Sequence, residues 1–148
     1  MKKIFVALSL AVLCTCVLVL AEERSNQSEF QLVQVNLIDL AQQNSVDMKD
    51  GLNITKVASG KNASVNLVMG PTGSILKMHY HKYSDEITYC INGQAVMNVS
   101  GKELVMKAGD LMYIPALTIH GSEVTGNETL QLISIFAPSF DAKDRIYV

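Results

Sequence analysis

From residue 52 onward the chain runs in short apolar or alternating stretches, each closed by turn residues after about eight to twelve positions. Alternation with period two predicts half-buried strands, and many short strands at even spacing predict a sandwich or barrel. The expected strands cover 52–59, 64–69, 74–81, 86–91, 94–99, 102–106, 110–114, 119–124 and 129–136. Between them lie S-G-K-N, G-P-T-G, N-G, S-G, A-G-D and T-G-N segments. Asn92–Gly93, set between two alternating strands, predicts a tight two-residue hairpin, since both residues tolerate positive φ. Upstream, F-Q-L-V-Q-V-N-L-I-D-L suits an edge strand or a short amphipathic helix. No long helical period follows, so the fold class expected is all-β, a single small barrel.

The first 21 residues follow another pattern. Lys2 and Lys3 precede an apolar run over 4–20, and Ala21 meets Glu22, Glu23 and Arg24. A basic start, an apolar middle and small residues at Val19 and Ala21 predict a cleaved secretory signal peptide. The competing reading is an uncleaved membrane anchor, because the run approaches spanning length. Cys14 and Cys16 follow Leu13 and Thr15, which does not suit a lipoprotein signal. The expected division is therefore a signal over 1–21, an N-terminal extension with an edge strand over 22–51, the barrel over 52–138 and a C-terminal tail over 139–148. The expected location is secreted or periplasmic, with no membrane contact after cleavage.

At 148 residues one domain is long enough to bury a core. Of 12 basic and 14 acidic residues the signal removes Lys2 and Lys3, taking the net charge from −2 to −4. No basic stripe remains, which argues against nucleic acid as a partner. Cys90 is then the lone cysteine, so no internal disulfide staples the fold. Sequons at Asn26, Asn53, Asn62, Asn98 and Asn127 fit either glycan acceptors or a polar, asparagine-rich surface.

All three histidines fall in one pattern: His79 and His81 two apart, Glu86 five further on, and His120 in a later block. On a strand His79 and His81 share a face. The short K-Y-S-D connection brings Glu86 back beside them, at one end of an expected hairpin, and His120 arrives from a distant strand as a barrel closes. Three neutral imidazoles and a carboxylate can occupy one side of a transition-metal ion and leave positions open to ligands. One buried histidine alone is ordinarily a core residue; four such groups in register point to a metal. The same alternation turns Ile75 and Lys77 inward. There Lys77 either orients an anionic substrate or reaches to the barrel mouth. Thr88, Cys90, Thr118 and Ser122 are inward candidates, with Cys90 a small buried hydrophobe and Thr118 and Ser122 able to support ligands. Tyr80, Tyr83, Tyr89 and Tyr113 could supply a proton donor, but outward or core packing is the expectation for each.

The stretch Gly73 to Gly93 resembles the first cupin motif, G-x5-H-x-H-x4-E-x6-G, at each fixed position. The run from Gly109, G-D-L-M-Y-I-P-A-L-T-I-H, resembles the second, G-x5-P-x-G-x2-H-x3-N, through Gly109, Pro115 and His120. It departs at Leu117 and Val124, where the family has glycine and asparagine, and neither position is a ligand. The resemblance implies a jelly-roll β-barrel with one divalent metal (iron, manganese, nickel, zinc, cobalt or copper) held by His79, His81, Glu86 and His120. It also implies a small-molecule ligand or substrate and pairing of copies into a homodimer through an edge strand. The function expected is a metal-dependent enzyme of dioxygenase, isomerase or lyase type, with Glu86 and Lys77 as catalytic candidates and Glu86 as a base. The alternative is a non-catalytic module that binds a sugar-like ligand or a metal in the same pocket. The H-x-D set of 2-oxoglutarate iron dioxygenases does not fit, because His81 stands where aspartate is needed.

Overall fold

The computed structural model describes residues 32–44 and 51–148, and among these ten strands form two five-stranded antiparallel sheets. The strands are β1 (Asn53–Ser59), β2 (Ser64–Gly70), β3 (Ile75–His81), β4 (Asp85–Asn92), β5 (Gln94–Val99), β6 (Lys102–Lys107), β7 (Leu111–Ile114), β8 (His120–Thr125), β9 (Leu130–Ala137) and β10 (Arg145–Tyr147). One sheet has the order β1-β2-β9-β4-β7 and the other β10-β3-β8-β5-β6. Consecutive strands repeatedly switch sheets, which gives the jelly-roll arrangement. The expected signal peptide lies outside the described residues. Among the described residues no helix is long and apolar enough to cross a membrane.

Registry sorts the interior into layers. Cys90, Leu132 and Val68 align across one sheet, and Val124 and Ala95 align across the other. With Met106, Ile114 and Leu130 they form the apolar core. Full burial of such side chains stabilises the fold by about 1.5–3 kcal/mol each. One layer along, Thr88, Ser134 and Asn66 line up opposite Ser122 and Met97. The next layer holds Glu86, Phe136 and Ser64 on one sheet, with His120 and His79 on the other. The interior thus passes from apolar to polar along the strands, and the polar end carries the chemistry.

Helix α1 (Leu37–Gln43) settles the segment that suited either strand or helix. Asn36 caps it, its Oδ1 accepting from the backbone N–H groups of Ile38 and Asp39. Leu37, Leu40 and Ala41 cover the outer side of Leu67, Met69 and Ile133. That is why β2 is buried on both faces. The edge strand expected over 22–51 is absent from the described part of that range, because these apolar residues repeat with a helical period.

Two further expectations are corrected. Asn92–Gly93 is a corner between sheets, not a hairpin: β4 pairs with β7 and β9, whereas β5 pairs with β6 and β8. Gly93 has φ 75°, and a Cβ there would lie 2.8 Å from the Thr129 carbonyl oxygen. Sharp crossing therefore demands glycine as firmly as a hairpin would. The two-residue hairpin is instead Ser100–Gly101, with φ of 51° and 81°, joining β5 to β6. Residues 139–148 are not a tail: a 3₁₀ turn (Ala142–Asp144) leads into β10, which pairs with β3 beside the histidines.

Candidate metal centre

His79 and His81 stand on β3, His120 on β8 and Glu86 on β4. Their relative exposures are 0, 2, 2 and 8 % respectively. His79 and His120 are direct register partners, and their ring centroids lie 4.3 Å apart with the planes tilted by 54°. The hairpin expected from the K-Y-S-D spacing does not form between Glu86 and the pair. The Glu86 strand belongs to the other sheet, so the carboxylate faces the histidines across the interior. One ligand atom from each of the four residues lies within 4.8 Å of the others.

Each imidazole is held so that its Nε2 points into the cluster. His79 Nδ1 lies 2.8 Å from the Lys77 carbonyl oxygen, and His120 Nδ1 lies 2.8 Å from that of Thr118. A carbonyl only accepts, so both Nδ1 atoms carry protons; His79 Nε2 is left with a lone pair to offer, and His120 Nε2 offers one when no proton bridges it to Glu86. His81 Nδ1 faces Asp144 Oδ2 at 3.3 Å. Inward, Glu86 Oε2 lies 3.1 Å from His120 Nε2 and 3.5 Å from His81 Nε2, while His79 Nε2 is buried with no hydrogen-bond partner. An orphaned buried nitrogen is costly unless something answers it. Three converging Nε2 atoms and one carboxylate fit a divalent transition metal by donor type and number.

Electrostatics agree with that geometry. Burial pushes His79 down from 6.5 to about 4, opposed by its bond to Lys77 and reinforced by the charges of His120, Arg145 and His81. His79 is therefore neutral at neutral pH, as a ligand must be. Burial by itself raises the Glu86 carboxyl. Hydrogen bonds from His120 and His81 and the His120 charge outweigh it and hold the group well below the usual carboxylate range.

Lys77 and Ile75 do not line the site. A β-bulge between Leu76 and His79 inserts an extra residue in β3, so Leu76 and His79 both face inward and the intervening alternation fails. Lys77 is exposed at the rim of an outer hollow, and only its backbone carbonyl serves the cluster. Thr88 and Ser122 do face inward and line a small cavity of about 30 Å³ beside Glu86 and His120. That is room for about one or two waters. Thr118 contributes its carbonyl. Cys90 is fully buried in the apolar layer and its thiol is raised by desolvation, which fits a packed hydrophobe. Tyr83, Tyr89 and Tyr113 are exposed, and none of the four tyrosine candidates lines the cavity.

Tyr113 instead donates to Asp85 Oδ2 at 2.7 Å, while Asp85 Oδ1 accepts from the Ala116 N–H at 2.9 Å. These bonds fasten the loop before His120 to the start of β4. In that loop Leu117 takes φ 66°, where the resembled motif has glycine, and its N–H donates to the His81 carbonyl at 2.7 Å. The turn is kept, at a strain of about 1–2 kcal/mol for a residue with a Cβ.

The segment beyond β9 supplies groups that spacing did not reveal. Asp144 is 3 % exposed, and its Oδ1 accepts from the Tyr83 N–H at 2.6 Å. Phe140 and Phe136 stack 4.9 Å apart and wall off His81. Arg145 lies over the Phe140 ring at 5.2 Å and lines the cavity. The adjacent Asp and Arg near the C-terminus were the available signal, but they carry no ligand spacing relative to the H-x-H pair.

Comparison with known proteins agrees with this architecture. The family profile described as "Cupin domain" matches residues 66–136. Over 86 residues the chain is 31% identical to the quercetin 2,3-dioxygenase of Bacillus subtilis, covering 55% of this chain and 25% of that enzyme. The chain thus spans about a quarter of the dioxygenase's length. An uncharacterized protein of Methanocaldococcus jannaschii is 31% identical over 88 residues, covering 60% of this chain and 70% of the relative. Among solved structures, the TT1209 protein of Thermus thermophilus has a TM-score of 0.65 at 23% identity, covering 74% of this chain and 100% of that one.

Proposed function

The chain belongs to the cupin superfamily, and from that premise we propose that it is a metal-dependent enzyme acting on a small organic molecule, of dioxygenase, isomerase or lyase type. The observation that carries this reading is the set of three buried imidazoles, two of them tethered by backbone carbonyls, whose Nε2 atoms converge with the Glu86 carboxylate. His79, His81, Glu86 and His120 would hold the ion. A bound divalent metal supplies Lewis-acid or redox chemistry and leaves coordination positions for a ligand. Glu86, held as an anion by its histidine neighbours, serves as a ligand before it serves as a base. Phe136 and Phe140 exclude water from the His81 side, and Thr88 and Ser122 offer hydroxyls toward the cavity. The similarity to a quercetin dioxygenase supports oxygen chemistry among the three reaction types.

The test is elemental analysis of the purified chain with oxygen-uptake and turnover assays on a panel of small phenols and organic acids. Close to one transition metal per chain is expected, lost in His79→Ala and Glu86→Gln, with turnover that requires the metal. Metal retained in full by His79→Ala sinks the assignment. Bound metal with saturable ligand binding and no turnover supports the alternative, a non-catalytic binding module. Export belongs to the same reading: a mature N-terminus near Glu22 after expression in the native host checks the leader peptide. Homodimer formation through a sheet edge belongs to it as well and is measured by light scattering.

A further inference from the structure

Among the described residues Arg145 is the one cation that lines the inner cavity, and no anionic side chain pairs with it. It pairs in register with His81 across β10 and β3, so the two side chains project to the same side of the sheet. Its Nε is buried without a hydrogen-bond partner. The neighbouring Asp144 is already engaged by Tyr83 and His81. Phe140 lies against the guanidinium and fixes its plane. Arg145 also borders the outer hollow of about 620 Å³, together with Leu52, Ile54 and Leu76, which line the inner cavity as well. The guanidinium therefore stands where the metal-facing cavity meets the outside, beside an apolar strip.

We propose that Arg145 anchors the carboxylate of a small monocarboxylic acid, whose apolar body lies on Leu52, Ile54 and Leu76 and whose far end faces the metal cluster. The proposal rests on the reading of that cluster as a metal site for a small-molecule ligand. A planar guanidinium offers paired donors that match a carboxylate bidentately. A buried Nε–H without a partner is a stable feature only if a ligand or water satisfies it. The Arg145 charge, added to a divalent ion only partly offset by the Glu86 carboxylate, favours an anionic ligand over its neutral amide. The residue lies outside the part matched by the family profile.

The experiment is titration calorimetry on the metal-loaded full chain with acetate, butyrate and benzoate, each against its amide, and with phenyl phosphate. At least one acid should bind about tenfold or more tightly than its amide, as expected for a charge-assisted bidentate contact. Arg145→Lys should lose about tenfold in acid affinity, and Arg145→Gln should remove the difference between acid and amide. Equal binding of acid and amide by the wild-type chain overturns the proposal without recourse to any variant. So do tighter binding of phenyl phosphate than of benzoate, failure of all three acids to bind, and undiminished acid preference in Arg145→Gln, which would mean the metal alone holds the carboxylate. Metal content measured on the same samples separates the two readings. Arg145-dependent acid binding without metal would sink the metal assignment alone, and full metal without acid preference would sink this one alone.

Discussion

Two of the three imidazoles are steered by backbone carbonyls, those of Lys77 and Thr118, and the third by the Asp144 carboxylate. In both carbonyl cases the acceptor lies two residues before the ring it orients, so the strand that presents the ligand also sets its tautomer. His81 Nδ1 instead faces the carboxylate of 3₁₀ residue Asp144 at 3.3 Å, whose other oxygen holds the Tyr83 N–H from a position 61 residues distant in sequence. Loss of a carboxylate that orients a ligand histidine typically costs 10–100-fold in metal affinity. Asp144→Asn should therefore weaken metal binding about tenfold or more in chelator competition, while leaving the far-UV circular dichroism of the metal-free chain unchanged. Unchanged affinity would show that Asp144 only ties down the loop at Tyr83. Three of the four candidate ligands were legible because H-x-H and the spacing to Glu86 are local, and His120 because it closes a second short motif. Asp144 and Arg145 were not, since nothing in a linear chain marks which late residue returns to which strand.

At the scale of elements, the β3–β8 pair decides the site. The bulge between Leu76 and His79 turns Lys77 outward, and Gly121 on β8 makes room for it. A Cβ on Gly121 would lie 2.7 Å from Met78 Sδ and 2.8 Å from the Leu76 carbonyl oxygen. The sulfur could move aside, but the backbone oxygen cannot without shifting the register that joins His79 to His120. Gly121→Ala should destabilise the chain by about 1–3 kcal/mol in urea unfolding, the usual cost of overpacking. It should also lower the metal bound per chain. Stability and metal content equal to wild type would mean that the bulge absorbs the methyl. Strand positions were readable from period-two alternation, yet the phase of β3 was not, because a bulge is a mismatch between two strands and neither strand states it alone. The same holds for Gly93, whose turn chemistry was evident while its role as a corner depended on the partners of β4 and β5.

Across the whole molecule, an apolar layer at one end of the barrel holds together a polar layer at the other. The buried titratable groups tie stability to acidity. His79 sits near 4 in the fold against 6.5 in the unfolded chain, so below about 6.5 the unfolded state takes up more protons and stability falls, down to about 4. Glu86 is also lowered, so its contribution is present above its ordinary 4.5 and is lost on further acidification. The metal-free chain should therefore melt at a lower temperature at pH 5 than at pH 7, and His79→Gln should flatten that difference. A melting temperature constant between pH 5 and pH 7 would show that His79 is not buried as neutral imidazole.

Short-range order settled what this protein is made of. Alternation with period two dictated strands, the apolar run before residue 44 allowed α1 or a strand in its place, and two short motifs, one with His79, His81 and Glu86 and one with His120, named the candidate ligands, since each depends on residues a few positions apart. Tertiary structure alone decided which face Lys77 takes, which strands meet at Gly93, and that the final residues close over the cluster with Asp144 and Arg145. Those outcomes depend on sheet order and on register between strands far apart in sequence. Such contacts form only when the whole core is buried at once.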